Sequence, residues 1–253
     1  MTNIRKASSA DLQEVKKWLD EERRTAGPGD FKGFGVNWSV IEATHKEGNL
    51  YVVTDSLQAV VGFLADANAG PNIIEICPQH RGKGFARQLM DFAIERARRR
   101  GNAVIEIEAA PRSSKPVWQH LGFEFIEGRQ GMGGGDFGCM ELPLSFAIPP
   151  HVTQIPYAVR FFDKARDWDS DVPPFRSYEG MAALVGDGQL QLPRRAICYH
   201  PYEEHAYDLV VQIEINGSVV FEDKVKREKA ARWGVVCDPS SNYYMDVLTG
   251  TWT

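Results

Sequence analysis

The chain has 253 residues, enough for one large domain or two small ones, and its 43% apolar and 25% charged residues are typical of a globular protein. A formal net charge of −5 argues against a nucleic-acid partner, although it leaves a local basic patch open. No apolar run approaches the roughly 18 residues of a membrane-spanning helix, and the first twenty residues lack the apolar core of a secretion signal. The four cysteines include no CxxC pair, so we expect reduced thiols and a cytoplasmic location.

The first 145 or so residues alternate the patterns of helices and strands. Ser8 or Ser9 caps a predicted helix that reaches Arg24, and a loop rich in glycine and aromatic residues follows it. Gly101 ends a second long helix, whose last turn collects arginines that suit the negative end of the helix dipole. The predicted elements after the first helix are a short helix near 38–46, strands at 51–55, 59–65 and 72–77, a helix at 84–100, a strand at 103–109, a short helix near 113–121, and strands at 124–127 and 139–144.

The composition changes near residue 145. The segment FAIPPHVTQIP (146–156) contains three prolines and is typical of a linker. Beyond it the helical periodicity largely disappears, and Asn216-Gly217 between two apolar runs is the strongest hairpin signal in the chain. Residues 150–253 carry a net charge of −4. We therefore predict two domains, 1–147 and a smaller, acidic, β-rich domain at 148–253 of unknown role.

One stretch, CPQHRGKGFARQ (77–88), joins an apolar strand to an amphipathic helix through small residues. Such a turn exposes several backbone N–H groups beside the positive end of the helix dipole, which is how proteins bind anions. Gly82 and Gly84 let a phosphate approach the backbone closely, and nearby basic residues add positive charge. The spacing fits neither the P-loop nor the dinucleotide fingerprint. A basic nucleic-acid patch and a plain strand-to-helix turn are the alternatives.

The spacing Gln79-x-x-Gly82-x-Gly84, between a strand and an amphipathic helix, resembles the [QR]-x-x-G-x-[GA] signature of the GNAT acyltransferase superfamily. The order of elements over residues 3–145 is similar to a whole GNAT domain. The resemblance implies an α/β (α+β) fold with a mixed, splayed β-sheet flanked by helices. It also implies an N-acetyltransferase that uses acetyl-CoA as co-substrate and needs no metal.

The resemblance assigns residues to that cofactor. The backbone N–H groups that bind the pyrophosphate correspond to Gly82, Lys83, Gly84, Phe85, Ala86 and Arg87. The pantetheine arm pairs with the preceding strand at Ile74, Glu75 and Ile76, because its amide groups can act as an added strand.

Acyl transfer to an amine needs a neutral amine, a polarised thioester and a protonated leaving thiolate. Trp118 stands where GNAT relatives usually have the tyrosine that protonates the leaving thiolate. Pro111 stands where they commonly have an asparagine that contacts pantetheine. An indole N–H donates hydrogen bonds but has no useful acidity. Catalysis without a dedicated acid is the alternative, because a thiol with a pKa of about 8.5 is a tolerable leaving group.

The carboxylates offer candidates for the base. Asn72 stands where some relatives have a glutamate, and Glu75 follows on the same strand, on the opposite face. Glu106 and Glu108 share one face of the strand at 103–109. They either line the acceptor cleft or lie at the solvent-exposed end of the strand. These three glutamates are the catalytic candidates.

The acceptor is less clearly marked. Phe34 and Trp38 lie where relatives place the loops that bind the acceptor. They could form one wall of the acceptor site, or they could pack at the edge of the sheet. The cluster CYHPYEEH (198–205) suggests zinc, but its spacing favours a polar loop. We expect direct transfer, in a ternary complex, to an amine of a small molecule or protein, with no membrane or nucleic acid involved and with a homodimer possible. The alternative is a non-catalytic acyl-CoA sensor whose C-terminal domain engages a partner.

Overall fold

The computed structural model describes residues 3–27, 33–67, 70–131, 134–202 and 208–250. The chain forms two compact units. The first comprises Met1–Arg100 and Ile105–Met140, and the second comprises Gly101–Val104 and Glu141–Thr253. The domain limits expected from the sequence, 1–147 and 148–253, remain a prediction.

The chain up to residue 141 is a mixed α/β structure, which confirms the predicted fold class. Its strands form one sheet in the order β1-β2-β3-β4 and another in the order β5-β7-β6. The strands β4 and β5, which precede and follow the helix α3, thus lie in different sheets, as expected of a splayed sheet. The elements are β1 (Asn3–Lys6), α1 (Ser9–Thr25), α2 (Trp38–Lys46), β2 (Leu50–Thr54), β3 (Val60–Ala67), β4 (Gly70–Ile76), α3 (Phe85–Arg100), β5 (Val104–Ala109), α4 (Lys115–His120), β6 (Glu124–Gln130) and β7 (Asp136–Glu141).

A capping box starts α1. The hydroxyl of Ser8 accepts the Asp11 N–H at 3.2 Å, and the Asp11 carboxylate accepts the Ser8 N–H at 2.7 Å. Arg5, in β1, donates to the same carboxylate. Val15 and Leu19 are fully buried in the core cluster that α1 shares with β2 and β3. Capping and burial together fix the direction in which α1 presents its remaining side chains.

The register of the first sheet decides which face Glu75 lies on. Phe63 and Ile73 belong to the core cluster on the α1 face of the sheet. Glu75 pairs with Phe63 across β3 and β4 and lies two residues after Ile73. Because side chains alternate along a strand, Glu75 points to the α1 face as well.

The second unit is dominated by one antiparallel sheet in the order β12-β11-β8-β9-β10-β14-β13, which bears out the expected β-rich region. The predicted hairpin turn at Asn216-Gly217 joins β11 to β12, with φ of 52° and 78°. The predicted linker at 146–156 runs into β8, which begins at Gln154. The elements are β8 (Gln154–Phe162), β9 (Arg176–Leu184), β10 (Leu190–Cys198), β11 (Val210–Ile215), β12 (Ser218–Lys224), α5 (Glu228–Arg232), β13 (Val235–Cys237) and β14 (Tyr243–Leu248). Within the described ranges of the whole chain, no helix has the length and apolar character to cross a membrane.

Candidate active site

The loop between β4 and α3 presents its backbone openly. Gly82 and Gly84 have φ of 74° and 84°, in the left-handed region that favours glycine. A Cβ built on either glycine meets no heavy atom within 4 Å. The loop therefore has room for a group that approaches the backbone at these two positions.

The helix that follows adds N–H donors. α3 begins at Phe85, so the first N–H groups of the helix have no carbonyl partner one turn earlier. Lys83 is exposed between the two glycines. Arg87 donates from Nη2 to the backbone oxygen of His120 at 3.2 Å, which ties the start of α3 to the end of α4. Residues 82–87, the predicted phosphate cradle, thus combine two open glycines, the start of α3 and the exposed side chains of Lys83 and Arg87.

Arg81, just before Gly82, joins two carboxylates. Its Nη2 donates to Oε1 of Glu22 at 2.6 Å and to Oε1 of Glu75 at 2.9 Å. Its Nε donates to the backbone oxygen of Ile76 at 3.0 Å. Glu22 comes from α1 and Glu75 from β4, so Arg81 connects the helix, the strand and the loop.

Glu75 has an unusual proton affinity. Burial raises its pKa to about 7, the nearby Glu22 carboxylate adds to the rise, and Arg81 opposes it. Oε2 of Glu22 is buried and accepts no hydrogen bond from the described part of the chain. Two largely buried carboxylates thus share one guanidinium, and the pair retains net negative charge when both are ionised.

Cys77 lies beside this cluster, at the end of β4. Its thiol donates to Oε1 of Gln79 at 2.9 Å. Burial is the main cause of its raised pKa, and Glu22 adds to the rise. The thiol is therefore held in its neutral form at physiological pH.

A family model described as an acetyltransferase (GNAT) domain matches residues 23–144. This part of the chain is a GNAT domain. Its general activity is acetyl transfer, as the description of the family model states. No curated protein sequence matches the chain.

Solved structures similar to the chain include other acetyltransferases. An acetyltransferase from Listeria monocytogenes is 14% identical, with 56% of this chain and 95% of that chain covered and a TM-score of 0.44. A putative acetyltransferase from Salmonella typhimurium, solved with acetyl-CoA, is 22% identical, with 60% and 99% covered and a TM-score of 0.41. YhbS from Escherichia coli, solved with CoA, is 18% identical, with 55% and 81% covered and a TM-score of 0.41.

Trp118, which the sequence comparison predicts to stand at the position of the usual acid, lies in α4. Its indole N–H donates to Oγ of Ser114 at 3.1 Å. Its ring packs edge-on against Phe123, with the ring centroids 5.6 Å apart. In this conformation the N–H forms a hydrogen bond within its own segment, and the ring packs at the end of α4.

The two glutamates of β5 contact β6 and the loop between β6 and β7. Glu106 lies 4.0 Å from a guanidinium nitrogen of Arg129. Glu108 accepts the Gly135 N–H at 2.6 Å, and a Cβ on Gly131 would lie 2.2 Å from its Oε2. Glu108 thus supports the described part of the glycine-rich loop that follows β6.

The other predicted site residues are dispersed. Phe34 and Trp38 pack against the core cluster on the α1 face, and Nζ of Lys16 lies 5.1 Å from the centre of the Trp38 ring. Part of the CYHPYEEH cluster, residues 203–205, lies outside the described residues. Elsewhere in the described ranges, no group of three or more metal-ligating side chains is placed to hold a metal ion.

Sequence reasoning counted Arg81 only among the basic residues of the loop, and it missed Glu22. The six-residue signature also fits two residues later, as Arg81-x-x-Gly84-x-Ala86, and that register would have singled out Arg81. Glu22 has no comparable local signal, because it is 59 residues from Arg81 and is brought there by the packing of α1.

Proposed function

We propose that the protein is an acetyl-CoA-dependent N-acyltransferase that moves an acetyl group directly to an amine of a small molecule or protein. The observation that carries the proposal is the open loop with its left-handed glycines, at the start of α3 in a GNAT domain. Acetyl-CoA supplies the activated acyl group as a thioester.

The residues of the loop fit the pyrophosphate of CoA. The space at Gly82 and Gly84 admits an anion close to the backbone, and the N–H groups and dipole of α3 favour negative charge there. Lys83 adds an exposed cation. Among the described residues β4 is the last strand of its sheet, so its outer edge suits the amides of a pantetheine arm along Ile74, Glu75 and Ile76.

Glu75 is the best-supported base among the three glutamates. An amine must lose its proton before it attacks, and a carboxylate with a pKa of about 7 accepts protons efficiently at neutral pH. Glu106 lies near the guanidinium of Arg129, and Glu108 accepts a hydrogen bond from the Gly135 N–H. We therefore assign proton acceptance to Glu75, and protonation of the leaving thiolate to solvent.

The test is release of CoA from acetyl-CoA with a panel of polyamines, amino acids, aminoglycosides and lysine peptides. With a productive amine, Glu75→Gln should lower kcat by about 100-fold or more, whereas Glu108→Gln should lower it only a few-fold. Equal large losses in both variants would contradict the assignment of the base to Glu75.

The same assay tests the sensor alternative, which Trp118 favours because its N–H is hydrogen-bonded to Ser114. Calorimetry would measure acetyl-CoA binding in parallel. Tight binding with no turnover on any acceptor would overturn the enzyme and support a non-catalytic acyl-CoA-binding protein.

A further inference from the structure

Arg81 holds two carboxylates from a place inside the loop assigned to the cofactor. Its guanidinium bonds to Glu22, Glu75 and the backbone of Ile76 at 2.6–3.0 Å. Gly82, the next residue, is the first open glycine of the loop. A displacement of the loop at Gly82 therefore acts directly on the contact between Arg81 and Glu75.

The charged groups around Glu75 act on it in opposite directions. Arg81 favours its ionised form, and Glu22 disfavours it. The thiol of Cys77 is a further titratable group beside this cluster, and Glu14 from the first half of α1 acts on it together with Glu22 and Arg81. Oε2 of Glu22 has no hydrogen-bond donor, so Arg81 is the only cation bound to either carboxylate in the described residues.

We propose that Arg81 is a positioning residue for acyl transfer, which fixes the orientation and charge state of Glu75 from within the cofactor loop. This inference rests on the proposed function, in which Glu75 accepts the proton of the amine. Arg81 keeps Glu75 ready to ionise near neutral pH, and its bond to the Ile76 backbone holds the carboxylate in one place on β4.

The first test does not depend on activity. The Glu75 carboxyl is titrated by ¹³C NMR in the full-length protein labelled with ¹³C-glutamate, and Glu75→Gln assigns its signal. Arg81→Gln should raise the midpoint of the titration by about 1 pH unit, and the isosteric Glu22→Gln should lower it. Arg99→Gln, which breaks an exposed pair with Glu95, is the control and should leave it unchanged.

Opposite shifts in the two variants support the proposal, because general loosening of the fold would move the midpoint in the same direction in both. An unchanged midpoint in Arg81→Gln, or shifts of the same sign, would overturn it. If Arg81→Gln does not fold, Arg81→Met, which keeps the apolar stem and removes the charge, replaces it in the same measurement.

The second test separates charge from position. Lysine keeps the positive charge but cannot bond both carboxylates and the Ile76 backbone as the guanidinium does. Arg81→Lys should therefore keep the midpoint near the wild-type value while kcat falls by about 10-fold or more, with unchanged affinity for CoA. Full kcat in this variant would overturn the positioning role. If no acceptor supports turnover in the wild type, the proposed function fails, whereas the NMR titration still reports on Arg81.

Discussion

The proton of Glu75 makes the stability of the protein depend on pH. Its pKa of about 7 in the folded protein lies above the ordinary value of 4.5. At pH values between these two pKa values, the folded protein holds a proton that the unfolded chain has released. The stability of the protein therefore falls as the pH rises through this range. The size of the shift sets an upper limit of about 3 kcal/mol on this loss.

Glu75→Gln, which cannot ionise, should therefore be more stable than the wild type at pH 8 and nearly equal to it at pH 4. Urea unfolding at a series of pH values measures the difference. Glu95→Gln, an exposed glutamate on α3, is the control. A difference that does not change with pH would contradict the raised pKa of Glu75.

Gly84 permits a matched test of the cofactor loop. Gly84→Trp places a large side chain in the open space of the loop and should abolish CoA binding. The backbone strain of a side chain at positive φ costs about 1–2 kcal/mol. Gly188 has the same left-handed conformation and equally open surroundings in the second unit.

Gly188→Trp should thus lose a similar amount of stability and keep its affinity for CoA. Calorimetric titration with CoA measures both variants. Normal affinity in Gly84→Trp, or an equal loss in both, would rule out the phosphate cradle.

Among the elements, α1 does most to place the carboxylate cluster, because it carries Glu22. Its start depends on Asp11, whose pKa is lowered well below its usual range, mainly by the hydrogen bonds from Arg5 and also by Ser8. Because the pKa of Asp11 is lower in the folded protein, its ionised carboxylate stabilises the fold at pH values above the ordinary aspartate pKa of about 3.9. This stabilisation is lost as the pH falls below that pKa.

Asp11→Asn should cost about 1–2 kcal/mol at pH 7, and the difference should shrink toward pH 2. Asp20→Asn, which removes an exposed pair with Lys16 on the same helix, should cost less than about 0.5 kcal/mol. Chemical unfolding at pH 7 and at low pH compares the three proteins. A cost for Asp11→Asn that persists unchanged at low pH would contradict this role for its charge.

At the scale of the whole molecule, the second unit includes a short piece of chain far from the rest of it in sequence. Residues Gly101–Val104 belong to that unit. Asp238, which is buried, accepts the Ala103 N–H at 2.8 Å and the N–H groups of Ser240 and Asn242 at 2.8 and 2.9 Å. A single carboxylate thus satisfies three backbone donors.

Asp238→Ala leaves these donors without their partner and should destabilise the protein by about 3 kcal/mol, at roughly 1 kcal/mol for each hydrogen bond. Asp169→Ala removes a carboxylate that accepts one exposed N–H, from Asp171, and should have little effect. Thermal unfolding of both variants measures the difference. Equal stability in the two would contradict the importance of the Asp238 hydrogen bonds.

Features that depend on neighbours in sequence were predicted well. The helix capped at Ser8, the turn at Asn216-Gly217 and the glycine loop before α3 all follow from the chemistry of a few consecutive residues. The strands β1, β8, β9, β10, β13 and β14 were missed, and the first residues of β8 were assigned to the linker. Their pairing partners and buried faces are set by distant strands.

By itself, the sequence determined the family signature, the open glycines and the set of candidate glutamates. Only the tertiary structure gave those glutamates different surroundings. It buried Glu75 beside Glu22, brought Arg81 between them, and placed a backbone N–H on Glu108. The reason is that proton affinity depends on burial and on charges within a few ångströms, and these neighbours come from residues far apart along the chain.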